Sequence, residues 1–157
     1  MRKRARFVYV LTVAVSLCLV LVFLTGSGLT QGERLVMRAM EHLGKPYVFN
    51  TSGPDRFDCS GLILYCAERE GLGQLPHAAK ELYNLGRPVQ RWQLLPGDMV
   101  CFDTVRDKDP SDHVGFYIGG NCFVHASSKQ HKVVVSELTD YYLEKYSGAR
   151  RLGCAYF

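Results

Sequence analysis

"HVGFYIGGNCFVHAS", His113 to Ser127, decides the fold class. Val114, Phe116 and Ile118 alternate with other residues, Gly119-Gly120-Asn121 interrupts, and Phe123 begins a second short run. Alternation marks a half-buried strand, and glycine with asparagine supplies the left-handed backbone of a tight hairpin turn. The stretch therefore reads as two antiparallel strands. Before it, "LLPGDMVCFD" (Leu94 to Asp103) reads as a turn and a strand. After it, "KVVVSEL" (Lys132 to Leu138) reads as another, "TDYYLEKY" carries short helix signals, and "RRLGCAYF" is placed to close the sheet.

Towards the N-terminus the period changes. In "GERLVMRAMEHLG", Leu35, Val36, Ala39, Met40 and Leu43 recur at helical spacing, and Gly44 fits a C-terminal cap. "KPYVFNTSGPD" is turn-rich, with an extended piece at Tyr47 to Phe49. A second helix is expected from Asp58 or Cys59 to about Glu70, stopped by "GLG", and a third in "PHAAKELYNLG". Helices first and an antiparallel sheet afterwards make an α+β domain.

The first thirty residues stand apart. Arg2, Lys3, Arg4 and Arg6 precede an uncharged apolar run from Phe7 to Leu24, and small, polar residues follow. That layout is an export signal, or, at this length, an N-terminal membrane anchor through residues 7–24. Either way residues 31–157 are expected outside the cytoplasm. The four basic residues before Phe7 account for the whole net charge of +4, and the remainder carries 15 basic and 15 acidic residues. A neutral domain gives no reason to expect a nucleic-acid partner. No linker or repeat divides the remainder, so a single domain, acting as a monomer, is expected.

Cys18 lies in the apolar run; five cysteines follow it, Cys59, Cys66, Cys101, Cys122 and Cys154. No two are closer than seven positions, so neither a zinc pattern nor a disulfide framework emerges. Cys66, Cys101, Cys122 and Cys154 read as small buried residues. Cys59 differs. It shares a helix face with Leu62, Ile63 and Cys66, and Asp58 before it is a good N-cap. In a helix's first turn, free backbone N–H groups and the macrodipole favour a thiolate, so a lowered pKa is expected. The same N–H groups can hold a developing oxyanion.

A thiol nucleophile needs a base. His113 heads one hairpin strand and His125 lies in the other, roughly across from it. One histidine can orient another through a ring hydrogen bond, the place an asparagine or aspartate fills elsewhere. His42, His77 and His131 read as solvated, with His77 alone placed to border a cleft.

"GKPYVF", "DRFDCSGL", "LLPGDMVCF", "HVGFYIG" and "FVHAS" together resemble, in order and spacing, the NlpC-type cysteine peptidases, papain-like hydrolases of bacterial cell walls. The resemblance runs from about Glu33 to the C-terminus. It implies Cys59 as nucleophile, His113 as general base and His125 as orienting residue. It further implies that Tyr47 contacts the thiol and that Asp58 and Ser60 help receive the substrate's amino end. The implied substrate is a peptidoglycan stem peptide, cut between γ-D-glutamate and the following diamino acid, with no metal or organic cofactor. An amidase or acyltransferase on this scaffold, or a wall-binding protein without activity, are the other readings. Two departures flank the cleft: Phe49-Asn50-Thr51 stands where the family often has Trp-Gly-Gly, and His77 where it often has arginine.

Overall fold

The computed structural model describes residues 28–105 and 109–153. The expected export segment, with Cys18, and Cys154 lie outside them. Helix α1 (Gln31–Met40) starts at Thr30, whose side chain accepts from the Glu33 N–H while the Glu33 carboxylate returns a bond to the Thr30 N–H. This capping box satisfies two N–H groups that a helix start leaves without partners. Leu35 and Ala39 are its buried residues. Helix α2 (Cys59–Arg69) is capped by Asp58 and ends beside Glu70 and Gly71. The third expected helix shrinks to a single turn, α3 (Ala79–Leu82). Only Ala79 and Leu82 in it are buried, and Gly86 turns the chain with a φ of 77° into the next strand.

Six strands form one antiparallel sheet: β1 (Arg87–Val89), β2 (Met99–Phe102), β3 (His113–Gly119), β4 (Cys122–Ser127), β5 (Lys132–Glu137) and β6 (Tyr146–Arg151). Their spatial order is β1-β6-β2-β3-β4-β5. Helix α4 (Asp140–Lys145) leads into β6. The α+β class holds. Two details differ from expectation. The closing strand begins at Tyr146 and lies inside the sheet, paired with both β1 and β2. Strand β1, which sequence pattern did not suggest, is three residues with a central proline and only Val89 buried, features of an edge.

The alternation in β3 and β4 divides two cores. Val114, Phe116, Val124 and Ala126 face α1 and α2, packing with Leu35, Ile63 and Cys66. The opposite face gathers Val100, Phe102, Phe123, Leu138 and Ala149 under Tyr142 and Tyr146. The β3–β4 turn carries positive φ at Gly119, Gly120 and Asn121, as the sequence required. Helix α2 packs across β3, and Cys59 at the start of the helix lies against Asp112, just ahead of that strand. The site is built there.

Candidate active site

Asp58 organises the start of α2. Its Oδ1 accepts from the Gly61 N–H at 2.6 Å and the Ser60 hydroxyl at 3.1 Å; its Oδ2 accepts from the Asn50 N–H at 2.7 Å. His77 Nε2 stands 3.0 Å from both oxygens. Asn50 delivers its N–H from a left-handed conformation (φ 57°). Gly61 permits the approach, because a Cβ there would run into the Thr51 carbonyl. His77 is therefore a bound member of the site and not merely solvated.

Cys59 follows in the first helical turn, partly exposed, with Sγ 3.9 Å from the Asp112 carbonyl oxygen. The N–H groups of Val114, Ser60 and Cys59 itself are directed at the sulfur. The thiol thus touches the backbone on both sides of His113. Asp112 is held in turn by its carboxylate, which accepts from the N–H groups of Thr104 and Val105 and from the Thr104 hydroxyl.

His113 Nε2 lies 2.7 Å from His125 Nδ1, with the two rings edge to face at 86°. His125 is fully buried, and its Nε2 is 3.0 Å from Ser136 Oγ and 3.5 Å from the Tyr142 hydroxyl. The two histidines are diagonal and not opposite. Phe116 pairs with Val124 and Tyr117 with Phe123, so the register brings Gly115 alongside His125. A Cβ at Gly115 would come within 2.9 Å of the His125 Cβ and 2.7 Å of the Val124 carbonyl oxygen. The bare glycine leaves the space through which the diagonal pair meets. When the bond runs from His113 Nε2–H to His125 Nδ1, His113 keeps a lone pair on Nδ1 and His125 donates Nε2–H to Ser136.

Electrostatics correct one expectation. Burial, followed by the nearby Asp58 carboxylate, pushes the Cys59 thiol up to about 11, although the backbone N–H groups pull the other way. Desolvation and a like charge outweigh the helix start. Burial also pushes His113 down to about 4 and His125 to about 2, with His113 adding to the shift on His125. Both shifts favour the neutral forms, a thiol at Cys59 and an uncharged imidazole at His113.

The cleft over Cys59 has a volume of about 440 Å³ and is lined by Tyr47, Phe49, Asp58, His77 and Lys80 among others. Tyr47 and Ser60 both line it, Ser60 with its hydroxyl committed to Asp58. Phe49 is 82% exposed at the rim. Among the described residues, no group of three His, Cys, Asp or Glu side chains is arranged to hold a metal ion. The other expectations divide. Cys66 and Cys101 are fully buried free thiols, whereas Cys122 is only partly buried. His131 is exposed, but His42 is buried between Phe57 and Tyr65 because the helix end turns it inward. Sequence reasoning missed Ser136 and Tyr142 behind His125. The one signal for Ser136 was a serine following three valines on a strand.

The NlpC/P60 family pattern matches residues 44–151. The chain is 35% identical over 119 residues to murein DD-endopeptidase MepH of Escherichia coli, covering 73% of this chain and 44% of that protein. It is 38% identical over 120 residues to the gamma-DL-glutamyl hydrolase of Bacillus subtilis, covering 74% and 28%. It thus spans less than half the length of either relative. Among solved structures, NlpC2 from Trichomonas vaginalis superposes with a TM-score of 0.72 at 32% identity, covering 82% of this chain and 48% of that one.

Proposed function

The chain belongs to the NlpC/P60 family, and from that premise we propose that it is a cysteine endopeptidase hydrolysing peptidoglycan stem peptides at the γ-D-glutamyl–diamino acid bond. The observation that carries this reading is the thiol of Cys59 seated at a helix start against the backbone of Asp112, next to His113, with His113 bonded at 2.7 Å to a buried His125. The relatives named for murein and γ-glutamyl hydrolysis support the substrate.

In this mechanism His113 Nδ1 takes the Cys59 proton as the sulfur attacks the scissile carbonyl carbon. Starting from a neutral pair, proton transfer accompanies attack. N–H groups at the start of α2 stabilise the tetrahedral oxyanion. His113 then protonates the departing amine as the C–N bond breaks, leaving a thioester on Cys59. Water, deprotonated by His113, attacks the thioester; a free acid leaves and the thiol is restored. His125 holds the His113 ring and spreads its charge towards Ser136. No step needs a metal or organic cofactor. The domain would work outside the cytoplasm, as a monomer, exported or held at the membrane by residues 7–24.

Mass spectrometry of purified wall fragments after incubation with the protein tests the reaction. New fragments ending in γ-D-glutamate, absent with Cys59→Ala, are expected. A fragment acylated on an added amine would instead identify a transferase, and unaltered fragments would end the hydrolase reading. A reporter fused after Leu24 that is active only in the cytoplasm would remove the wall from consideration.

A further inference from the structure

Away from the cleft, the one tryptophan of the chain stands 81% exposed on a braced turn. Trp92 is the middle residue of a single 3-10 turn, Arg91–Gln93, closed by the Gln93 N–H on the Gln90 carbonyl at 2.8 Å. Arg151 ties that turn to the sheet. Its guanidinium donates to the Gln93 carbonyl at 3.2 Å and to both oxygens of the buried Asp98 at 2.6 and 2.7 Å. Asp98 in turn accepts from the Leu95 N–H, and its carbonyl accepts from the Tyr117 N–H on β3. A lone exposed side chain needs no explanation. Here, however, the indole borders a hollow of about 250 Å³ lined also by Arg91, Leu94, Tyr117 and Asn121. The Tyr117 hydroxyl accepts the Asn121 N–H at 3.2 Å and keeps its own proton to donate. Asn121 commits Nδ2 to the Leu138 carbonyl and keeps its amide oxygen as an acceptor.

An aromatic face with a donor, an acceptor and one cation beside it suits a ring that is apolar on its faces and polar at its edge. A pyranose has that make-up. Its C–H bonds can lie on the electron-rich indole face while its hydroxyl and acetamido groups meet the polar side chains. An acyl chain would instead bury those side chains without partners. A polyanion would find no excess of positive charge, because the chain beyond Arg6 carries 15 basic and 15 acidic residues. Resting on the wall-hydrolase reading above, we propose that Trp92, Arg91, Tyr117 and Asn121 form a second site, which binds the sugar rings of the glycan strand and not the stem peptide. It shares no lining residue with the cleft over Cys59. The two are linked by β3, where Tyr117 lies four residues beyond His113; that is about 13 Å along a strand. Because the turn is already braced, stacking a ring on Trp92 costs little ordering entropy.

Trp92 is the single tryptophan, so its emission reads the site directly. Glycan strands stripped of their stem peptides are titrated into the full chain. A saturable change in emission is expected, with half-saturation raised about threefold or more in Tyr117→Phe, which loses one hydrogen bond. Trp92→Ala should slow fragment release from insoluble wall at low wall concentration by about fivefold or more, while kcat/KM on a soluble stem peptide stays at the wild-type value. Emission unmoved by stripped glycan overturns the inference. So does an equal response to octanoate, which would make the hollow an acyl-chain site, or an equal loss by Trp92→Ala on the soluble peptide, which would make Trp92 structural. A protein that cuts neither wall nor peptide while its emission still follows glycan overturns the hydrolase reading alone, so the two failures are distinguishable.

Discussion

At the scale of the residue, Cys59 is governed by competing environments. A helix start favours its thiolate, but burial and Asp58 raise the thiol to about 11. Alkylation by iodoacetamide should therefore be slow at pH 7 and climb about tenfold per pH unit towards pH 10. A rate already high and flat from pH 6 would mean a resting thiolate. His113 and His125 should separate by magnitude. His113→Ala removes the proton carrier, and nearly all turnover should go. His125→Ala removes only its orientation and the support of its charge. In the serine-protease template, turning the orienting carboxylate into its amide costs about 10⁴ in rate. A neutral imidazole supports the cation less, so a smaller loss is expected here, with His125→Asn recovering part of it as an acceptor for His113. Initial rates on a stem peptide for folded variants decide this; near-wild-type rates for both His125 variants would leave Cys59 and His113 acting alone. Cys66, on the same helix face but fully buried, should affect only stability, with Cys66→Ala costing about 1 kcal/mol in denaturant unfolding.

At the scale of the element, the hairpin does the positioning. Its two strands were legible because alternation and a Gly-Asn turn are local signals. The diagonal offset of the histidines was not, since it depends on the register at the turn, where pairing shifts between Tyr117 and Gly119. The same limit hid β1 and the inner place of β6, which depend on non-local pairing of short polar segments. Gly115 is the test of the offset. Gly115→Ala puts a methyl group within 2.9 Å of the His125 Cβ and against the Val124 carbonyl, so strand β4 must shift. We expect kcat to fall by at least tenfold with a modest change in KM, along with lower thermal stability. Unchanged kcat would show that the pair tolerates a wider strand separation. Ser136→Ala should lower kcat less, because it removes a distant acceptor in the chain of bonds.

At the scale of the molecule, the half-buried His113 and the buried His125 and His42 tie stability to pH. His113 and His125 have native pKa values lowered by burial to about 4 and about 2, and buried His42 is lowered too, against about 6.5 in an unfolded chain. Above pH 6.5 neither state binds the proton, and these groups contribute no slope. As pH falls below 6.5 the unfolded chain takes protons that the native state refuses, so stability declines. The His113 share is complete near pH 4, where the native residue also protonates, and the His125 share continues towards pH 2. Glu70 enters only at the acid end: burial opposes its charge, but Arg34 and Arg38 hold it below the usual carboxylate value, so its loss begins near pH 4.5. Between pH 7 and 5 the decline is therefore a histidine effect. Thermal melts over that interval should show a falling Tm, and His125→Asn, which has no proton to gain, should flatten the slope even if its Tm at pH 7 is lower. A wild-type Tm constant from pH 7.5 to 5 would mean that the two rings are solvated, and with that the neutral thiol–imidazole starting state of the mechanism would go as well.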